Sequence, residues 1–194
     1  MFPTFKRLYI TFKRLHIVDH FYLFVSGVIL AVICGGVMNA IDGMVSAPYF
    51  QWIFYYPGGS PNWSPMELYW HTIGEGLREG MWFGVIMSAF FMFFAACTSK
   101  GASELLFSIR YLPKIASVSF SCWAIGGIIG IATGLLFPKF LSFVSGLGGS
   151  QMDKYRLLWV MFSIWGVYLG NIAALILGCL WFLRDWKAKV KIIS

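Results

Sequence analysis

Charge is scarce in this chain of 194 residues: 12% are charged, and only eight of those are Asp or Glu. Soluble domains carry about 25% charged residues. Hydrophobic residues make up 59% and aromatic residues 19%, with a mean hydropathy of +0.74. A soluble globule of this size has no interior large enough for so many Phe, Trp and Leu side chains. The composition excludes a soluble enzyme, a disordered tail and a disulfide scaffold, and it requires an integral membrane protein.

Other absences narrow the class further. Cysteine is sparse: Cys34, Cys97, Cys122 and Cys179 lie in or beside apolar runs with no CxxC spacing. Buried free thiols are expected there, rather than a disulfide or a zinc site. No cleavable signal is expected, and Ile33 stands where a lipoprotein box at Cys34 would want a small residue. There is no Gly-rich phosphate loop, nucleophile elbow, Walker motif or HExxH. A non-enzyme is therefore expected, with no cofactor beyond bound lipid.

What abounds is uncharged sequence. Four runs, 21–41, 80–97, 115–137 and 157–183, are long enough at ~1.5 Å per residue to cross a hydrocarbon core of ~30 Å. They lack the alternation of barrel strands, and only helices or closed barrels satisfy their backbone in lipid. The expected fold is all-α, with four transmembrane helices as two hairpins. The first hairpin is 21–97, with spans at about 21–47 and 68–97. A connector covers 98–114, and the second hairpin is 115–183, with spans at about 115–137 and 157–183. A basic tail covers 184–194.

The net charge of +7 reads as topology, not as nucleic-acid binding. Eleven of the fifteen basic residues precede the first span, lie between the second and third, or follow the fourth. Both termini should therefore face the cytoplasm, in a bacterial inner membrane or its organellar equivalent. The opening residues 1–20 repeat a short pattern, Thr4-Phe5-Lys6-Arg7-Leu8 and Thr11-Phe12-Lys13-Arg14-Leu15. On a helix, Phe5, Leu8, Phe12 and Leu15 share one face. That predicts an amphipathic helix lying in the lipid interface or packed on a partner.

A shift of 90 residues aligns the two halves without a gap: Gly36 on Gly126, Pro48 on Pro138, Gly76 on Gly166 and Gly80 on Gly170. The reading is a duplicated hairpin, both copies in the same orientation, related by an axis along the membrane normal. Small residues recur every four positions, as Gly76, Gly80, Gly84 and Ser88, as Gly126, Gly130 and Gly134, and as Gly166, Gly170, Ala174 and Gly178. Ala31 and Gly35 form a shorter ridge. Such ridges admit a second helix backbone. They serve packing within the chain, or docking against other integral membrane subunits in a hetero- or homo-oligomer.

Ionisable residues gather in the second span. His71, Glu75, Arg78 and Glu79 fall within about 100° of arc on one helix face. Gly76, Gly80 and Gly84 lie on another. Asp42, late in the first span, is the expected partner of Arg78, with Asn39 just below it and Asn171 near the middle of the fourth span. Ionisable groups at this depth are costly and mark function. The stripe reads as a structural ion-pair network, as a contact with another subunit, or as an ion path or a metal site at His71. His16 and His20, one turn apart, are expected to be solvated or lipid-facing. The loop after the first span is aromatic, and Trp52, Tyr55, Tyr56, Trp63 and Trp70 are candidate interface anchors.

Two functions follow as expectations. The first is an accessory, non-catalytic subunit that packs within a larger membrane complex. The alternative is a small oligomeric channel or transporter using the polar stripe.

Overall fold

A computed structural model describes residues 16–55, 63–144 and 150–193. These residues are almost wholly helical and include no strand. In chain order the helices are α1 (Ile17–Val45), α2 (Ala47–Tyr55), α3 (Pro65–Ser99), α4 (Leu105–Ile109), α5 (Leu112–Leu136), α6 (Pro138–Val144) and α7 (Gln151–Ile193). Four helical stretches, α1, α3, α4–α5 and α7, are long and apolar enough to cross a membrane. Residues 1–15, with most of the basic amphipathic pattern, lie outside the described residues.

Local chemistry sets the helix ends. Ser64 and Glu67 form a capping box. The Glu67 N–H donates to Ser64 Oγ at 3.3 Å, and the Ser64 N–H donates to Glu67 Oε2 at 2.7 Å. Pro65 follows at the first helical position, where its missing N–H costs nothing. Ser150 and Asp153 repeat the reciprocal bonds at the start of α7, at 3.3 Å and 2.9 Å. Lys100 and Gly101 stop α3 with φ of 53° and 73°, and the Gly101 N–H closes on the Ala96 carbonyl at 2.8 Å.

Several boundaries differ from the sequence reading. α1 breaks at Ser46 and α3 begins at Pro65, because the capping serine outweighs hydropathy in placing a helix start. α7 runs without interruption through the basic tail to Ile193. The 98–114 connector contains α4 and the first turn of α5.

Within each hairpin the helices meet backbone to backbone. A Cβ on Gly80 would collide with the Ala31 carbonyl, and one on Gly76 with the Gly35 carbonyl. In the second hairpin the same holds for Gly126 against Phe162, Gly130 against Leu158 and Gly166 against Cys122. Lipid tails are as apolar as Leu, so close van der Waals contact of this kind, rather than hydrophobic burial, holds the pairs together. Gly84 faces Ala31 and Val28, Gly134 faces Leu158 and Tyr155, Gly170 faces Cys122, and Gly178 faces Ile115. Each ridge glycine thus meets the other helix of its own hairpin.

The two hairpins meet each other mainly at their ends. At the turn end, Tyr49 and Phe50 of α2 pack with Leu68, Leu141, Leu157, Leu158 and Val160. At the connector end, Leu23, Phe91, Ala95, Tyr111, Leu112 and Phe182 form a second cluster. Tyr111 anchors it, donating to Asp185 Oδ2 at 2.9 Å, while Arg110 bonds both at 2.7 and 3.3 Å. Between the clusters the hairpins touch through Tyr168, which reaches Glu79 and Phe83, and otherwise leave space between them.

Candidate functional site: a cleft between the hairpins

The parting encloses a cavity of about 110 Å³ lined by all four long helices. Its lining on α1 runs from Gly27 to Asp42, fifteen steps along the helix or about 22 Å. Most of the wall is apolar. The polar exceptions are Asn39, Asp42, Glu79, Ser88, Ser119, Tyr168 and Asn171, and among the described residues no Lys, Arg or His lines it.

Asp42 closes the turn end of this cavity and is only 1% exposed. Three donors from the other hairpin converge on its carboxylate. Trp123 Nε1 donates to Oδ2 at 3.0 Å, Trp159 Nε1 to Oδ1 at 3.2 Å, and Ser163 Oγ to Oδ2 at 3.1 Å. The two indoles meet edge to face, with centroids 5.9 Å apart. An indole N–H donates only, so the pair suits an acceptor with no hydrogen of its own. Ser163 also lies 2.9 Å from the Val160 carbonyl, which gives its single proton a second acceptor. Asn39, one turn away, donates to the Thr72 carbonyl at 3.3 Å and ties α1 to α3.

The expected pair of Asp42 with Arg78 does not form. Arg78 bonds Glu75 on its own helix, and its side chain is 65% exposed. Neither residue lines the cavity. The physical reason is rotation: Asp42 faces the second hairpin, whereas the Arg78 side chain turns outward and takes Glu75 as its partner. Glu79, one position on, does turn inward and accepts a hydrogen bond from the Tyr168 hydroxyl at 3.2 Å. The Tyr168 ring stacks on Phe83 with centroids 5.2 Å apart. Asn171 lines the cavity one turn below Tyr168 and makes no side-chain hydrogen bond among the described residues.

The remaining candidates scatter. His71 stacks on Trp63 at 4.0 Å between centroids and stands apart from the cavity. Among the described residues no three His, Cys, Asp or Glu side chains converge as metal ligands. Trp70 is exposed, while the side chains of Trp52 and Tyr55, and all of Tyr56, lie outside the described residues. Of the two histidines expected to be solvated or lipid-facing, His16 is partly exposed and His20 is buried. His16 bonds Asp19 at 2.8 Å, and His20 is 8% exposed, between the His16 carbonyl at 2.8 Å and Ser103 Oγ at 3.1 Å. A carbonyl only accepts, so Nδ1 carries a proton and donates to it. His20 thereby ties the start of α1 to the connector.

Sequence reasoning missed Trp123, Trp159, Ser163 and Tyr168. One signal was available: Trp123 and Tyr168 sit deep inside uncharged runs, away from the interfacial belt where such side chains usually stand. A buried Trp or Tyr needs a partner for its N–H or O–H, and Asp42 and Glu79 were the acceptors on offer.

No protein-family model matches this chain. Comparison with curated proteins and with solved structures likewise finds no significant match.

Proposed function

We propose that this chain is a non-enzymatic integral membrane protein that admits a small solute into the cleft between its hairpins, as a carrier or channel. The observation behind this reading is the cavity itself: a space some 22 Å long at membrane depth, polar at defined points and bounded at both ends by packed clusters. Tightly closed hairpins with a loose seam between them suit relative movement of the two halves. The duplicated origin of the hairpins fits this reading. In each copy a long helix breaks at a non-helical residue, Ser46 or Phe137, whose N–H bonds four residues back. A short helix follows, and then a serine-capped long one. We place both termini on the cytoplasmic side, as the basic residues indicate.

Osmotic swelling of proteoliposomes tests the proposal with a panel of small charged and uncharged solutes. Ala116 lines the cavity. Ala116→Leu should narrow the cavity and reduce protein-dependent permeation about tenfold. No protein-dependent permeation for any solute, or permeation indifferent to Ala116→Leu, would reject it.

One observation favours a second reading, an accessory subunit in a larger membrane complex. The Glu75–Arg78 pair and Trp82, which is 62% exposed, sit on the outward surface of α3 inside a membrane-spanning helix. Ion pairs rarely face lipid, and another integral membrane subunit would cover this one. The small-residue ridges no longer argue for docking, because they close within the hairpins. Mass determination after extraction in mild detergent decides: a lone monomer sinks the subunit reading.

A further inference from the structure

Building on the cleft reading, we propose that the cavity is a site for a small organic ammonium ion, with its charge against Glu79 and its alkyl groups against Phe83 and Tyr168. The argument begins with charge. Glu79 and Asp42 both line the cavity and no basic side chain among the described residues does, so this wall disfavours anions. Asp42 is already met by three donors from the facing hairpin. Glu79 accepts a hydrogen bond only from the neutral Tyr168 hydroxyl, and the nearby Arg78 guanidinium bonds Glu75 instead, so it offsets the Glu79 charge only in part. Two carboxylates, Glu75 and Glu79, thus share one guanidinium at membrane depth, and a second cation in the adjoining space would reduce the cost of the charge left over.

The rest of the wall says which kind of cation. A hard metal ion needs six or more oxygen ligands or a compact set of His and carboxylate groups. Among the described residues no three His, Cys, Asp or Glu side chains gather, and the lining beside Glu79 is Phe83, Met87 and the Tyr168 ring. Stacked aromatic faces attract alkylammonium groups through their quadrupoles, while methyl groups fill apolar wall at no desolvation cost. Asn171, with no other hydrogen bond among the described residues, supplies an amide oxygen for an ammonium N–H or a retained water. Size fixes the range. A cavity of about 150 Å³ accommodates benzene, with its six heavy atoms. At about 110 Å³ in all, spread along the seam, the cavity takes nothing larger than that, which makes a cation of four or five heavy atoms the suitable probe.

Calorimetric titration of the purified full-length protein in detergent, at constant ionic strength, tests the assignment with tetramethylammonium and with uncharged tert-butanol, which has the same number of heavy atoms. Tetramethylammonium should bind at least tenfold more tightly than tert-butanol. Glu79→Gln keeps an acceptor for Tyr168 and should weaken tetramethylammonium at least tenfold. Arg78→Gln, outside the cavity, should leave it within twofold. Equal affinity for the two probes, or wild-type affinity in Glu79→Gln, overturns the cation assignment. Permeation of uncharged solutes that Ala116→Leu blocks, without tetramethylammonium binding, also overturns it while leaving the carrier reading intact. Neither binding nor permeation of any solute removes both.

Discussion

Asp42 has two carboxylate oxygens and three donors pointed at them, and this arithmetic predicts how it responds to substitution. In Asp42→Asn one oxygen becomes an NH₂ group, and whichever way the amide turns, it faces an indole N–H. One indole is left without an acceptor, which should lower stability by about 1–3 kcal/mol. Near-ultraviolet circular dichroism during thermal unfolding in detergent reads both the loss of stability and the altered packing of Trp123 and Trp159. Ser163→Ala should cost less, since Asp42 keeps both indole donors and the hydroxyl that is lost divided its single proton between Asp42 and the Val160 carbonyl. If Asp42→Asn melts like the wild type, the carboxylate does not hold the hairpins together.

At the scale of the element, the helices are defined by their seams and their caps. Gly80 lies against the Ala31 carbonyl, so Gly80→Leu must force α1 and α3 apart, at about 1–3 kcal/mol for overpacking. Gly74, on the same helix, has nothing within 4 Å of where a Cβ would stand. Gly74→Ala should therefore leave the melting temperature unchanged, or raise stability by up to about 1 kcal/mol through helix propensity. Equal damage from both substitutions would mean that the seam is not tight. The caps are independent of the seams. Ser64→Ala and Ser150→Ala each remove a reciprocal capping pair and should each cost about 1 kcal/mol, read as a drop in thermal stability.

For the whole molecule, packing is uneven in a way that bears on function. Each hairpin is sealed by glycine contacts, the two ends are filled by aromatic and aliphatic clusters, and the middle is left open. Large apolar side chains such as Ile29, Ile33, Phe90, Phe93, Leu169 and Ile176 point outward, as surface facing lipid requires. With four crossings, tags at the two ends should be digested together in inverted membrane vesicles and protected together in right-side-out ones. Cleavage of one tag in each preparation would contradict the orientation drawn from the basic residues.

Hydropathy and period sufficed for the all-helical class and the four long apolar helices, because each depends on residues within one turn or one run of a single helix. The sequence also marked Asp42, Glu75, Arg78 and Glu79 as exceptional, since charge within an apolar run is visible without a fold. Their partners were a matter for the tertiary structure. Whether Asp42 meets Arg78 or Trp123 depends on the rotation of α1 against three other helices, and periodicity fixes the face of a helix without saying what that face meets. The same limit hid the contact of His20 with Ser103, 83 residues away. It also hid the cavity, a space defined by where four helices fail to touch.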